Sequence, residues 1–478
     1  MERLLFACTL TFISHFTTAQ TQCDCTSELE YIIEFTEENL PGFRDNVNES
    51  NSAEYEAHKN KLLSDSRQIT AEVECLKTLT YYVEYFKDQH TSILHFGPDV
   101  DWNNDASIRR FLQSDSYQAT ETYQISSNTL EQYPLEKIEG IYQNQDTTLI
   151  IAVVEDKTIN RDYVGVVTKS ATKKWKEGQV ILEIKQSPKG TYSAFTYSDD
   201  RTMAYRGNYP FINGILGDTW YKAILKQYVN PVTDAPDDLT FKRFGDSIAY
   251  VRIPWFYPNK SKKISEFMDS VDHAIRNTKY LIVDVRNNGG GSNQNAMPLL
   301  DYIYTQPYKV DHVQIYATAG NVMKYENLYA VLAEDTINTS QGMLSFLRSE
   351  IDTMKKVPEG TFIDRTKEDQ YITRDTVLDT PAKVAVLYNK YSASACESFI
   401  FWAKDSEKTT LVGENSGGYV GYGENLRLNT PCYNFTYLST MTRYERNRKW
   451  DGIGIPPDHY LSHDQDWIEQ TITILTGH

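Results

Sequence analysis

Apolar positions change their spacing three times along the chain, and each spacing predicts a different kind of structure. From about residue 23 to 115, aliphatic and aromatic residues recur at three- and four-residue steps with charges between them. The clearest runs are Glu28 to Leu40 and Tyr55 to Lys87, which predict amphipathic helices. This region closes on Phe86-Lys87-Asp88-Gln89-His90-Thr91-Ser92-Ile93-Leu94-His95-Phe96, before the breaker Gly97-Pro98. Short strand-like runs follow: Gly140 to Tyr142, Thr148 to Val154, Tyr163 to Val167 and Gln179 to Ile184, separated by polar turns. Their close spacing predicts an antiparallel sheet or small barrel. After Val232-Thr233-Asp234-Ala235-Pro236-Asp237-Asp238 the rhythm becomes strand, helix, strand. Ile248 to Ile253, Tyr280 to Val285, Val384 to Leu387 and Thr409 to Val412 read as strands, with helices at Ile264 to Asn277 and Cys396 to Ala403. That alternation predicts an α/β domain whose ligands gather where strands end and helices begin.

The rhythm divides the chain into a signal peptide at 1–19, a helical region at 20–125, a β-rich domain at 135–235 and an α/β domain at 236–478. A length of 478 residues, with 40% hydrophobic and 24% charged, suits several globular units. The net charge of −17 argues against a nucleic-acid or anionic-membrane partner. At the N-terminus, MERLLFACTLTFISHFTTAQTQ has one arginine, a short apolar stretch and then Thr17-Thr18-Ala19. It reads as a secretory signal cleaved after Ala19, so the expected location is periplasmic or extracellular. Nothing else approaches the roughly 20 apolar residues of a spanning helix, so no integral membrane segment is expected after cleavage. Export would leave Cys23, Cys25, Cys75, Cys396 and Cys432, with Cys75 placed to pair with Cys23 or Cys25. Their spacing fits no zinc pattern, and no metal or organic cofactor is expected.

Two segments carry candidate chemistry. Arg286-Asn287-Asn288-Gly289-Gly290-Gly291 follows a buried strand, and its glycines allow backbone amides to converge on an anion. The lysine and hydroxyl of a phosphate loop are missing, so an oxyanion hole fits better. The second segment, Tyr391-Ser392-Ala393-Ser394-Ala395-Cys396-Glu397-Ser398-Phe399, places serines at the entry of a helix. Read alone, that is equally a helix cap.

Together YLIVDVRNNGGG, SASACES, Leu411-Val412-Gly413-Glu414 and Trp450-Asp451-Gly452-Ile453-Gly454-Ile455-Pro456-Pro457-Asp458 resemble the C-terminal-processing (tail-specific) and tricorn-core serine peptidases. The resemblance runs through roughly residues 240 to 465, with a shorter match at Lys87 to Ile93. It implies a crotonase-like α/β core related to the Clp protease fold. It also implies Ser394 as nucleophile and amides of Gly290 and Ala395 as the oxyanion hole. The tail-specific branch places a lysine base 25 residues beyond the serine, but that residue is Tyr419, and no lysine occurs from Glu414 to Leu428. The tricorn-like branch carries a D-G-H-T-like string, matched by Asp88-Gln89-His90-Thr91, which makes His90 the expected base and Asp451 the acid that orients it. His95 is the fallback base. Cys396 is expected to be a packed apolar residue and Glu397 an electrostatic aid to the first helical turn. The expected function is a serine endopeptidase acting on a peptide or protein substrate through an acyl-enzyme. An inactive member of the fold that grips a peptide, and a crotonase-like thioester enzyme, are the alternatives.

Overall fold

A computed structural model describes residues 23–125, 133–187, 190–225, 236–335, 339–365, 369–463 and 465–477. The expected signal segment and the start of the expected linker at 232–238 lie outside the described residues. The fold is mixed α/β, built around a six-stranded sheet in the order Thr240–Phe244, Ile248–Arg252, Tyr280–Asp284, Lys383–Tyr388, Thr409–Gly413, His459–Tyr460. The first pair is antiparallel and the rest are parallel. A parallel sheet covered on both faces needs apolar side chains in both registers, which is why these strands read as near-continuous hydrophobic runs. Leu281, Val283, Val384 and Val386 pack with the helices Ser261–Arg276, Met297–Ile303 and Ala395–Lys404. Ile282, Ala385 and Leu387 face the other way, onto Trp467 and Leu475 of the helix Trp467–Thr476. Each fully buried Val or Leu contributes about 1.5–3 kcal/mol, so the two faces together fix the register.

The middle of the chain forms a nine-stranded sheet, and every pairing in it is antiparallel. Gly140–Gln143, Leu149–Glu155, Tyr163–Ser170 and Val180–Gln186 are close to the expected strands. Tyr192–Tyr197, Met203–Arg206 and three short strands between Phe211 and Lys222 extend the sheet at its two edges.

The N-terminal helices Cys25–Asn39, Ser52–Ser66 and Glu72–Val83 share a core with Phe195 and Met203 of that sheet, and with Leu428, Phe435 and Tyr437 from the far end of the chain. The apolar run from Tyr55 to Lys87 is therefore two helices, broken where the β-branched pair Ile69-Thr70 follows turn bonds to Asp65 and Ser66. Several ties hold this layer against the C-terminal half of the chain. Strand Ser92–Leu94 pairs antiparallel with Thr436–Ser439. The buried Glu28 carboxylate accepts the amides of Cys432 and Tyr433, both at 3.0 Å, and the Thr430 hydroxyl. Disulfides join Cys23 to Cys432 and Cys25 to Cys75, and Cys396 is free and buried.

Candidate active site

The site lies at the carboxyl ends of the central parallel strands. Loops leaving Tyr280–Asp284, Lys383–Tyr388 and Thr409–Gly413 converge there. Behind the first loop, the fully buried Asp284 holds Arg286 at 2.6 Å and Arg252 at 3.1 Å. Burial alone would raise that carboxyl, but the two guanidiniums hold it below the usual carboxylate range. Asn287 and Asn389 tie the first loop to the second, through bonds of 2.9 and 2.8 Å.

Ser394 stands immediately before the helix Ala395–Lys404 at φ 57°, ψ −118°. A non-glycine residue held there costs of order 1–3 kcal/mol, so its surroundings must enforce the turn. They do so through Ser392 Oγ, which donates to the Val285 carbonyl at 2.7 Å, and the Ala393 amide, which donates to the Asn288 carbonyl at 2.9 Å. The largest anchor is the buried Glu397 carboxylate. It accepts the Ser394 amide at 2.7 Å, the Gly418 amide at 2.7 Å, the Tyr419 amide at 2.9 Å and the Ser416 hydroxyl. Burial raises its pKa and all four donors oppose that. Glu397 is thus the post around which the nucleophile turn and the 416–419 loop are both wound, a larger role than the expected dipole effect. Its place three residues after the N-cap was the available signal, since that position reaches back to cap amides.

His90 Nε2 lies 3.3 Å from Ser394 Oγ, although 304 residues separate them. The imidazole sits on a turn closed by Asp88, which accepts the His90 amide at 3.1 Å, the Thr91 hydroxyl at 2.8 Å and the Thr440 hydroxyl. Asp88 was not singled out from sequence, although an Asp two residues before its amide partner is the local signal of an Asx turn. Burial pushes the His90 pKa down to about 4, with the Tyr422 backbone carbonyl opposing, so the ring is neutral near pH 7. Its Nδ1 is buried, and among the described residues no carboxylate hydrogen-bonds to it. Tyr419, where the tail-specific branch has its lysine, sets its ring edge-on to the imidazole, with centroids 5.3 Å apart at 82°. His95 packs against Phe435 instead.

Two expected contacts are not made. Asp451 does not hydrogen-bond to His90. Its carboxylate accepts the Val420 amide at 2.9 Å, the Gly421 amide at 2.6 Å and the Gln89 amide at 3.3 Å, which leaves it beside the histidine turn without reaching the ring. Burial, and then the charge of Asp88, push Asp451 up to about 7. The Gly290 amide is already taken by Asn288 Oδ1 at 3.0 Å, so it is not a spare oxyanion donor. Gly290 serves by close approach. It holds φ 90°, and a Cβ there would lie 2.5 Å from the Ala393 carbonyl and 2.8 Å from the Ala395 nitrogen. Ala395 takes the first position of its helix, where amides lack intrahelical partners.

A serine hydroxyl on a strained strand-to-helix turn, faced by a neutral imidazole, defines a serine hydrolase type of site. The model of peptidase family S41 matches residues 247–461, so this region of the chain is similar to that family of serine peptidases. No protein of curated function matches the sequence. Among solved structures, mature CPAF is similar at 12% identity and TM-score 0.48, over 95% of this chain and 96% of that one. The photosystem II D1 C-terminal processing protease gives 13% and 0.36, over 94% and 97%. The tricorn protease gives 12% and 0.36, over 95% of this chain and 36% of that one.

Proposed function

We propose that this protein is an exported serine endopeptidase that cleaves peptide bonds through an acyl-enzyme. Ser394 Oγ attacks the scissile carbonyl while His90 Nε2 takes its proton. The C–N bond then breaks, and His90 returns that proton to the leaving amine. Water, deprotonated by the same imidazole, releases the acyl group and restores the serine. The Ala395 amide is one oxyanion donor. Gly289, exposed and beside open space, supplies the second in place of Gly290. Asp451 is a positioning residue, acting through the Gln89 amide and the 420–421 backbone rather than through Nδ1. The six-stranded sheet with its flanking helices is read as a crotonase-like core. Export is supported by the two disulfides, which persist in oxidising compartments.

The single observation carrying this reading is the 3.3 Å approach of His90 Nε2 to Ser394 Oγ, within general-base reach. A fluorophosphonate probe tests it. Wild-type labelling should vanish in Ser394→Ala and slow by about 10²- to 10⁴-fold in His90→Ala, the usual worth of a positioned base. Labelling that survives Ser394→Ala overturns the nucleophile, and an unlabelled wild type points to a peptide-gripping protein without turnover.

A further inference from the structure

Two helices connect the antiparallel strands Val313–Ala317 and Thr361–Asp364, and the first of them, Ala319–Glu334, lays polar residues against the core. Its first turn is fastened to the N-terminal layer. Asn321 donates to the Asn39 carbonyl at 2.9 Å, and the Gly320 amide donates to Asn39 Oδ1 at 3.1 Å. A Cβ on Gly320 would lie 2.4 Å from that oxygen. One turn on, the Lys324 ammonium passes over the Phe35 ring, 5.8 Å from its centroid. The residue is 1% exposed, and its hydrogen-bond partners among the described residues are neutral. They are the Ser439 carbonyl at 2.9 Å, the Ser439 hydroxyl at 3.3 Å and the Thr440 carbonyl at 3.4 Å. A buried ammonium with no anion in contact is costly beside an apolar side chain of its size, so stability alone does not account for a lysine here.

From those acceptors to the nucleophile, each step is a hydrogen bond or a covalent link. The Thr440 hydroxyl donates to Asp88 Oδ2 at 2.5 Å, beside the Thr91 hydroxyl at 2.8 Å. Asp88 Oδ1 accepts the His90 amide at 3.1 Å, and His90 Nε2 stands 3.3 Å from Ser394 Oγ. Ser439 also closes the strand Thr436–Ser439, whose partner Ser92–Leu94 begins two residues after His90. Ser439 and Thr440 are fully buried, so bulk water is not at hand to hold their carbonyls. Lysine carries three rotatable N–H donors on a flexible stem and can serve three acceptors at one point. Burial pulls the ammonium down to about 7, with Asp88 opposing. The neutral amine still has two N–H donors, enough for both carbonyls.

We infer that Lys324 is a positioning residue for the catalytic base: it fixes the Ser439–Thr440 backbone, and through Thr440 and Asp88 it fixes the turn that carries His90. This rests on the reading of His90 as general base. The inserted helix is thereby part of the catalytic apparatus, with Lys324 acting only through its neighbours.

Fluorophosphonate labelling followed over probe concentration tests this, because it separates the maximal rate from the half-saturating concentration. Lys324→Met fills similar space without N–H donors. Its maximal rate should fall about ten- to a hundredfold, the order of loss when a catalytic group shifts by about 1 Å, with the half-saturating concentration unchanged. Its melting temperature should match or exceed that of wild type, because the buried charge is gone. A maximal rate equal to wild type overturns the inference, whatever the melting temperature. Thr440→Val removes the next link and should slow labelling by a similar factor. The double variant should be no slower than the slower single, since both break one path. Reductions that multiply overturn the inference, because they place Lys324 outside that path. If Lys324→Met does not fold, Lys324→Gln, which keeps N–H donors one bond short of the acceptors, replaces it in the same cycle. An unlabelled wild type overturns the proposed function as well, whereas a labelled wild type with Lys324→Met unchanged overturns this inference alone.

Discussion

Burial acts on His90 and Asp451 in opposite senses, and the difference should be visible in the pH profile. The imidazole is pushed down to about 4, so above that pH it is free to accept a proton. Asp451 is raised to about 7 by burial and then by Asp88, so it becomes anionic only above that pH. If its charge supports the protonated imidazole that forms during attack, kcat/KM rises with pH through about 7 and then levels. Asp451→Asn should abolish that limb. An asparagine also cannot accept from three backbone amides with its single oxygen, and a buried N–H left unpaired costs about 1–3 kcal/mol. The variant should therefore lose roughly tenfold to a hundredfold at pH 8. A limb near 7 that survives in Asp451→Asn assigns the titration to Glu84 or Asp88, which burial raises to about 7 and about 6.

At the level of elements, the nucleophile turn and the 416–419 loop depend on one helix-borne carboxylate. Glu397→Gln keeps the shape but turns an NH₂ group towards amides that need an acceptor. Fluorophosphonate labelling should fall by at least about a hundredfold and the melting temperature by several degrees, as expected when a buried, fully used charge is lost. Unchanged labelling would mean the turn holds its strained conformation without this anchor. How legible such elements are in the sequence follows from which side chains face the core. The helix Ser261–Arg276 buries Ile264, Met268, Val271 and Ile275, and that spacing is plain in the sequence. Strands Tyr280–Asp284 and Lys383–Tyr388 are apolar on both faces and equally plain. Helix Ala319–Glu334 is less plain, because its most buried residues include the polar Asn321 and Lys324, beside an apolar row of Val322, Tyr325, Leu328, Tyr329 and Leu332 that is only partly buried apart from Tyr325. Strands of two residues, such as Phe211–Ile212 and Ile215–Leu216, are too short for any period to register. Within the site, Ser394 announces itself in a local string. The partners of Asp451 are backbone amides, which every residue but proline supplies, so no side-chain pattern could have named them.

On the scale of the whole molecule, catalysis depends on a layer from one end of the chain closing over a core from the other. His90 reaches Ser394 because the strand Ser92–Leu94, two residues beyond it, pairs with Thr436–Ser439 and because Asp88 accepts the Thr440 hydroxyl. Farther out, the Thr36 and Tyr437 hydroxyls bond at 2.8 Å, Glu28 grips the 430–433 turn, and Cys23 is bonded to Cys432 across 409 residues. The non-covalent contacts already specify the docked position, so the disulfide should add stability more than geometry. A cross-link over so long a loop restricts the unfolded chain and is worth about 2–4 kcal/mol. The double variant Cys23→Ser/Cys432→Ser should therefore unfold several degrees lower than wild type while labelling with fluorophosphonate at close to the wild-type rate at 25 °C. Cys25→Ser/Cys75→Ser gives the contrast, because its bond lies wholly within the N-terminal layer and cannot hold that layer to the core. Loss of labelling at 25 °C in the Cys23/Cys432 variant, with the helical content of the layer intact by circular dichroism, would show that the disulfide itself sets the distance from His90 to Ser394.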